Sequence, residues 1–314
     1  MELQAESADT SEKDFVNTVS LLTSHPSWMV RRWASRLGRK GAFALARANN
    51  EIPSLTLRVN TLMTNREEVL RKMEAEGWKA EATQYSPFGI RLDGTVPFSR
   101  LAPFWGLVSV QDEAAQLMSM MLGPKPGERI LDACAAPGGK ATHLAQIMGD
   151  SGEVLAVEVE LKRLARLKEN IAALGLKSIK VVHDNLLGFQ SGQGFDRVML
   201  DAPCSASGVI RRNPDVRYRF REKDLREFGS RQLELLRAGS ALLRPGGELL
   251  YCTCSTEPEE GEDVVRKFLR TSSEFFIIED IPSVSELLSS GMLRTYPHIH
   301  GTDGFFGVKL GWKR

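Results

Sequence analysis

Cysteine is scarce in this chain of 314 residues. The four thiols, Cys134, Cys204, Cys252 and Cys254, are too few for the disulfide framework of a small secreted domain. None stands in a C-x-x-C or Cys/His spacing of the kind that holds zinc, so no metal is expected. Long apolar runs are missing as well. No stretch of about 18 apolar residues exists, which excludes a transmembrane helix and a membrane partnership. The first fourteen residues carry five acids (Glu2, Glu6, Asp9, Glu12, Asp14) against one base, Lys13. A secretory signal starts basic and then apolar, so a cytoplasmic protein is expected. Net charge is also lacking: 41 Lys and Arg against 40 Asp and Glu leave +1, with no global sign of a nucleic-acid partner. What is present, 42% hydrophobic and 26% charged residues, is the composition of a folded soluble chain long enough for about two domains.

The charge is unevenly spread. Residues 27–47 hold six bases (Arg31, Arg32, Arg36, Arg39, Lys40, Arg47) and no acid, and residues 211–231 hold eight bases and four acids. Each stretch reads either as a solvated helix face or as part of a localised phosphate-binding track.

Residues 1–14 read as a frayed acidic start and 15–50 as short helices, with His25-Pro26-Ser27 breaking one and capping the next. Leu55-Thr-Leu-Arg-Val59 then alternates as a strand and 65–76 is helical. Strands near 87–92 and 106–110 precede a helix over 112–121, which completes a small α/β unit. The turn residues of Gly123-Pro-Lys-Pro-Gly127 mark a domain boundary. Beyond it, strands at 129–133, 153–157, 179–182, 196–201 and 248–251 alternate with helices at 139–148, 223–243 and 258–270. A further helix aligns Leu161, Leu164, Leu167 and Ile171 on one stripe. This alternation predicts an α/β fold with helices on both faces of a mostly parallel sheet. The expected domains are a helical segment (1–50), a small α/β domain (51–122) and a large α/β domain (123–314).

The first strand of the large domain runs into Asp132-Ala-Cys-Ala-Ala-Pro-Gly-Gly-Lys140 and opens a helix, a place where backbone N–H groups face a ligand. A P-loop would need glycine at position 134 and a hydroxyl residue at 141, where the chain has Cys134 and Ala141; the dinucleotide G-x-G-x-x-G is also absent. Glu158 ends the second strand, 24 residues after Cys134, at the position from which doubly wound folds bind ribose hydroxyls. The pair fits an adenosine-containing ligand without a triphosphate. Asp201-Ala-Pro-Cys-Ser205 and Cys252-Thr-Cys-Ser255 follow the fourth and fifth strands, whose ends lie near the first, so the three segments converge on one crevice. The thiols there are either packed apolar groups or, in so polar a setting, reactive ones.

The runs Asp132–Lys140, Asp201-Ala-Pro-Cys-Ser-Ala-Ser-Gly208 and Thr253-Cys-Ser255 resemble the signature blocks of the NOL/NOP/Sun family of S-adenosylmethionine-dependent RNA cytosine-5 methyltransferases. Leu57-Arg-Val-Asn60, Val110-Gln-Asp-Glu113, Val209–Asp215 and Thr302-Asp-Gly-Phe-Phe306 agree, from about residue 20 to the end. His25-Pro-Ser-Trp28 is most similar to the Sun/Fmu branch, which acts on bacterial 16S ribosomal RNA. The resemblance implies a Rossmann-like methyltransferase sheet of seven strands preceded by a small α/β RNA-recognition domain. The Sun/Fmu branch has a further N-terminal helical RNA-binding domain, for which only residues 1–50 are available. S-adenosyl-L-methionine is the implied cofactor. Cys134, Ala135, Ala136, Pro137, Gly138, Gly139 and Lys140 would form the methionine-side loop, Glu158 would take the ribose, Asp184 the adenine amino group, and Asp201 would border the sulfonium.

The same resemblance assigns the chemistry. Cytosine C5 is a poor nucleophile until a thiolate adds to C6, which is covalent catalysis by cysteine. Cys254 is the implied nucleophile, Asp201 the group that binds the base near N3 and N4, and Cys204 the helper in product release. Lys140 either lowers a thiol pKa, orients the base, or is a helix-surface lysine. Cys252 reads as a packed strand residue. Arg211, Arg212, Arg217 and Arg219, interleaved with Tyr218 and Phe220, could track RNA phosphates and stack a base; Arg58 is a fifth candidate for RNA contact, or with Asn60 it supports the active-site wall or is structural. The expected partner is RNA, ribosomal or alternatively transfer RNA, with the protein a monomer. A DNA cytosine-5 methyltransferase would need only the Pro-Cys thiol. An amino-group methyltransferase would show a Pro-Pro-Tyr/Phe block at 201–204. A non-catalytic ribosome-assembly factor would have no use for intact Cys204, Cys254 and Asp201.

Overall fold

The computed structural model describes residues 11–94 and 96–313; the acidic start read over residues 1–14 lies mostly outside this range. Helix α1 (Glu12–Thr23) begins where the Ser11 hydroxyl accepts the Asp14 N–H at 3.2 Å. Pro26 precedes α2 (Ser27–Ala48), which is broken at Gly38, where φ is 71°. The apolar stripes of both helices, including Phe15, Val19, Val30, Trp33 and Phe43, close over Ile210, Val216, Phe220 and Leu225 of the large domain. The N-terminal segment is therefore packed onto that domain rather than set apart from it.

The small domain is an antiparallel sheet in the order β2-β3-β1-β4, built from β1 (Leu55–Val59), β2 (Ala80–Ala82), β3 (Gly89–Leu92) and β4 (Val108–Val110). Helix α3 (Arg66–Ala75) covers it through Val69 and Met73, against Leu57, Ile90 and Phe104.

Helix α4 (Glu113–Leu122) corrects the expected boundary. Ala114, Leu117, Met118, Met121 and Leu122 are buried with Ile130, Val154, Met199 and Leu250 of the large sheet, so the helix belongs to that sheet. The junction falls between β4 and α4. The turn at 123–127 is only a connector, and turn chemistry alone cannot tell a connector from a boundary.

The large sheet has nine strands among the described residues. Five are parallel, in the order β9-β8-β5-β6-β7: β5 (Arg129–Asp132), β6 (Glu153–Glu158), β7 (Ile179–His183), β8 (Phe195–Asp201) and β9 (Leu243–Thr253). An antiparallel extension follows: β13 (Phe306–Trp312) pairs with β9, β10 (Phe275–Ile277) and β12 (Met292–Arg294), and β12 with β11 (Leu288–Ser289). Seven strands were implied; the short β10, β11 and β12 have too few residues to show a period.

Alternate residues of the parallel strands feed two cores. Ile130, Val154, Met199 and Leu250 face α4, α5 (Gly139–Ile147) and α6 (Leu161–Ala173). Leu131, Leu155, Val198 and Leu249 face α7 (Leu225–Ser240) and α8 (Glu262–Thr271). Both faces are covered, which is why the strands read as nearly continuous apolar runs. No helix of the described residues is long and apolar enough to cross a membrane.

Trp33 is fully buried at the seam between the N-terminal helices and the large domain. Trp33→Ala should cost about 3–5 kcal/mol of stability, read as a lower urea midpoint by circular dichroism.

Candidate active site

The parallel register brings three loops to one edge of the sheet. Asp132 of β5 lies beside Met199 of β8, and Asp201 of β8 lies beside Cys252 of β9. From that edge issue the loops carrying Cys134–Lys140, Cys204 and Cys254.

The first loop is fastened by backbone bonds, Ala135 N–H to Val157 C=O at 3.0 Å and Gly138 N–H to Ala135 C=O at 2.8 Å. Gly138 has φ 103°, and a Cβ there would sit 2.6 Å from Leu167 Cδ1, so the turn requires glycine. The loop lines a pocket of about 190 Å³ together with Gln111, Asp132, Lys140 and Asp201. Glu158 sits behind the loop: its buried carboxylate accepts the Ala136 N–H at 3.1 Å on Oε2 and the Glu160 N–H at 3.0 Å on Oε1, and Arg163 pairs with Oε2 at 3.6 Å. Asp184 is exposed beyond β7 and accepts the Asn185 N–H; it does not line this pocket.

Two polar groups of the pocket escaped the sequence reading as site residues. Asp132 is fully buried and neither carboxylate oxygen meets a well-aligned donor; burial, then the Asp201 charge, push its pKa up to about 7. An acid closing an otherwise apolar strand was the available signal. Gln111 has its amide oxygen held by Arg58, while its Nε2 is buried without a partner.

Lys140 is not a helix-surface lysine. Its side chain is only 11% exposed, and Nζ lies 2.6 Å from Asp201 Oδ2 and 5.1 Å from the Phe305 ring centroid. Burial pulls the ammonium pKa down, but Asp201 and the neighbouring cysteines push it up further, so it stays charged.

Cys204 and Cys254 meet with their sulfur atoms 3.4 Å apart. The hydrogen bond to Cys254, followed by burial, pushes the Cys204 thiol well above its ordinary pKa. Cys252 points into the core with Sγ 3.7 Å from Asp201 Oδ1, and burial raises its thiol too.

The arginines expected to meet RNA all have partners within the protein. Arg211 and Arg212 both grip Asp303, and Arg212 donates to Asp112 at 2.7 Å. Arg217 is buried and donates to the carbonyls of Thr23 and Ser24, each at 3.1 Å. Arg58 is fully buried and donates to Gln111, to the Gly139 carbonyl and to Thr142 Oγ1. Only Arg219 of the five is exposed, and it pairs with Asp215. In the other basic stretch, Arg32 and Arg36 hold Glu257, at 2.8 and 3.0 Å. The acids that neutralise Arg32, Arg36, Arg211 and Arg212 lie far along the chain, beyond any sequence window.

The geometry is that of a known group of proteins. Residues 119–311 match the family model described as 16S rRNA methyltransferase RsmB/F, and residues 25–99 that of the RsmF/B-like ferredoxin-like domain. The probable ribosomal RNA small subunit methyltransferase B of Bacillus subtilis (strain 168) is 35% identical over 94% of this chain and 68% of its own length. The ribosomal RNA small subunit methyltransferase B of Cronobacter sakazakii is 39% identical over 91% of this chain and 66% of its own. The chain thus spans about two thirds of these curated relatives. The crystal structure of a methyltransferase homolog protein from Pyrococcus horikoshii superposes with a TM-score of 0.83 at 28% identity, covering 96% of this chain and all of that one. The methyltransferase sheet and small N-terminal domain inferred from the sequence hold, and with more than half of its residues inside the first family model the chain belongs to the RsmB/F family of 16S rRNA methyltransferases.

Proposed function

We propose that the protein methylates C5 of a cytosine in 16S ribosomal RNA, using S-adenosyl-L-methionine and a covalent bond from Cys254 to C6 of the base. The observation that carries this reading is the pair of sulfur atoms 3.4 Å apart beside the Lys140–Asp201 ion pair and next to the loop pocket.

The residues present fit the cofactor. The Asp132 carboxylate, buried with no well-aligned donor among the described residues, suits the ammonium of an amino acid, and Gln111 Nε2, which has no partner among them, suits its carboxylate. Glu158 Oε1, which accepts only the Glu160 N–H among the described residues, suits a ribose hydroxyl, and Asp184 stands at the next strand end for the adenine amino group. Bound there, the cofactor supplies an electrophilic methyl group.

The chain's own residues do the rest. The Cys254 thiolate adds to C6, and the electron pair displaced from the C5–C6 bond makes C5 a nucleophile. Asp201 and Lys140 hold the base edge and balance its charge while the thiolate adds. After C5 has taken the methyl group it still carries its proton. Transfer of that proton to solvent restores the double bond, breaks the C6–S bond and returns the thiolate to Cys254. Cys204, in contact with Cys254, assists this last step. The target base must be unstacked to reach the thiol, so a loop or flipped nucleotide is the expected substrate.

Bisulfite sequencing of ribosomal and transfer RNA from cells lacking the gene should show one unconverted cytosine of 16S ribosomal RNA becoming convertible; a change confined to transfer RNA overturns the assignment of substrate. Asp132 gives a pH test. Its carboxyl titrates near 7 in the folded chain against an ordinary 3.8, so its ionised form costs stability that is lost as pH rises through that interval. Asp132→Asn should therefore raise Tm of the ligand-free protein by about 5 °C at pH 8 and by clearly less at pH 5. Calorimetry should show the same variant binding S-adenosylhomocysteine more weakly. For the thiols, Cys254→Ala should abolish methyl transfer and any covalent adduct with RNA. Cys204→Ala should still add and methylate but release slowly, trapping a protein–RNA band on a denaturing gel that vanishes in the double variant. The reverse pattern exchanges the two roles.

A further inference from the structure

Glu260 lies in the short turn Pro258–Glu260 between β9 and α8, 0% exposed, and has no part in the chemistry just described. Its carboxylate accepts four hydrogen bonds. The Ser205 N–H (2.8 Å) and the Gln232 amide (3.0 Å) reach Oε1, and the hydroxyls of Ser205 and Ser255 (2.6 Å for the latter) reach Oε2. The two serines are the residues that directly follow Cys204 and Cys254. The side before each cysteine is tied to the same place. Gln232 of α7 also donates to the Pro203 carbonyl at 3.0 Å, and the Thr253 hydroxyl donates to the Glu260 carbonyl at 3.3 Å. Both cysteines are thus flanked on either side by groups that end on Glu260 or on its amide partner.

We propose that Glu260 is a positioning residue of the reaction, a single carboxylate that clamps the Cys204 loop to the Cys254 loop and sets the distance between the thiols. The proposal rests on the covalent reading above for its catalytic meaning, but the clamp itself is a matter of geometry. A buried carboxylate with four donors is fully satisfied as an anion. Apolar packing cannot replace it, because the Ser205 N–H would be left unpaired in the core and each serine hydroxyl would lose its shortest hydrogen bond. Burial pushes the Glu260 carboxyl above its usual range while the four donors pull it back, and its charge adds to the forces holding Cys204 protonated. Glu257 and Glu259 in the same turn are neutralised from outside by Arg32 and Arg36, and Glu262 by Arg294, which leaves Glu260 as the acid turned toward the cysteine loops.

The test reads thiol spacing directly. Dibromobimane bridges two thiols only when they lie a few ångströms apart, and the Cys204–Cys254 product is identified by peptide mapping. Glu260→Gln, which turns an acceptor into a donor beneath Ser205 or Ser255, and Ser255→Ala, which removes one strut, should each slow this bridging about fivefold or more. Both should lower kcat on a 16S RNA fragment about tenfold or more, with S-adenosylhomocysteine affinity within about twofold of the parent. Unchanged bridging in either folded variant overturns the clamp, and so does a parallel loss of cofactor affinity, the mark of general loosening. If Glu260→Gln does not fold, Ser255→Ala decides alone. Slowed bridging in an enzyme whose parent never methylates cytosine would retain the clamp and reject the proposed reaction.

Discussion

The constraint on which the site depends is the pairing register of β5, β8 and β9. These strands run parallel and end at the same edge of the sheet, with Asp132 beside Met199 and Asp201 beside Cys252. A slip of one residue would turn every side chain of a strand to the opposite face. It would send Asp201 away from Lys140 and draw one thiol away from the other. The register is secured because the two faces bury different residues, Met199 and Leu250 on one side, Val198 and Leu249 on the other. Packing of a two-sided apolar sheet is thus what places polar chemistry at its edge.

A second constraint joins the small domain to that edge. Arg58 leaves β1 and donates to the Gly139 carbonyl and Thr142, in the first turn of the helix that follows the pocket loop. Among the described residues no carboxylate lies against it, and burial lowers its guanidinium pKa to about 9. Asn60, two residues on, donates to the Leu174 carbonyl and accepts from Gln146. These bonds are costly to desolvate and worthless if incomplete, which makes the domain junction specific rather than merely adhesive. Arg211 and Arg212 on Asp112 and Asp303 play a similar part, tying the start of α4 to the loop before β13.

What could be read from the sequence was local. The Gly-rich turn needs glycine for reasons of backbone and close approach, and the alternation of strands with amphipathic helices is visible within short windows. The cysteine segments were legible because each follows an apolar strand. What escaped was the choice of partners. Arg211, Arg217 and Arg58 have the composition of a phosphate track, yet their acceptors are Asp303, the end of α1 and Gly139. Asp132 stood inside a motif and Glu260 in the first turn of the helix expected over 258–270; their burial is a property of the assembled fold. Helix α4 was placed in the wrong domain because the turn that follows it is a stronger signal than the surface it covers.

The contact between the two sulfur atoms has a stereochemical consequence for the proposed reaction. At 3.4 Å no pyrimidine fits between them, so both thiols must stand on the same face of the ring. That face is then closed to the methyl donor, which has to approach from the other one. As C5 becomes tetrahedral, the incoming group occupies the far side and swings the hydrogen toward the sulfur atoms. The hydrogen that must leave is thereby delivered to the side where Cys204 waits, and addition and elimination are handled from a single face of the base.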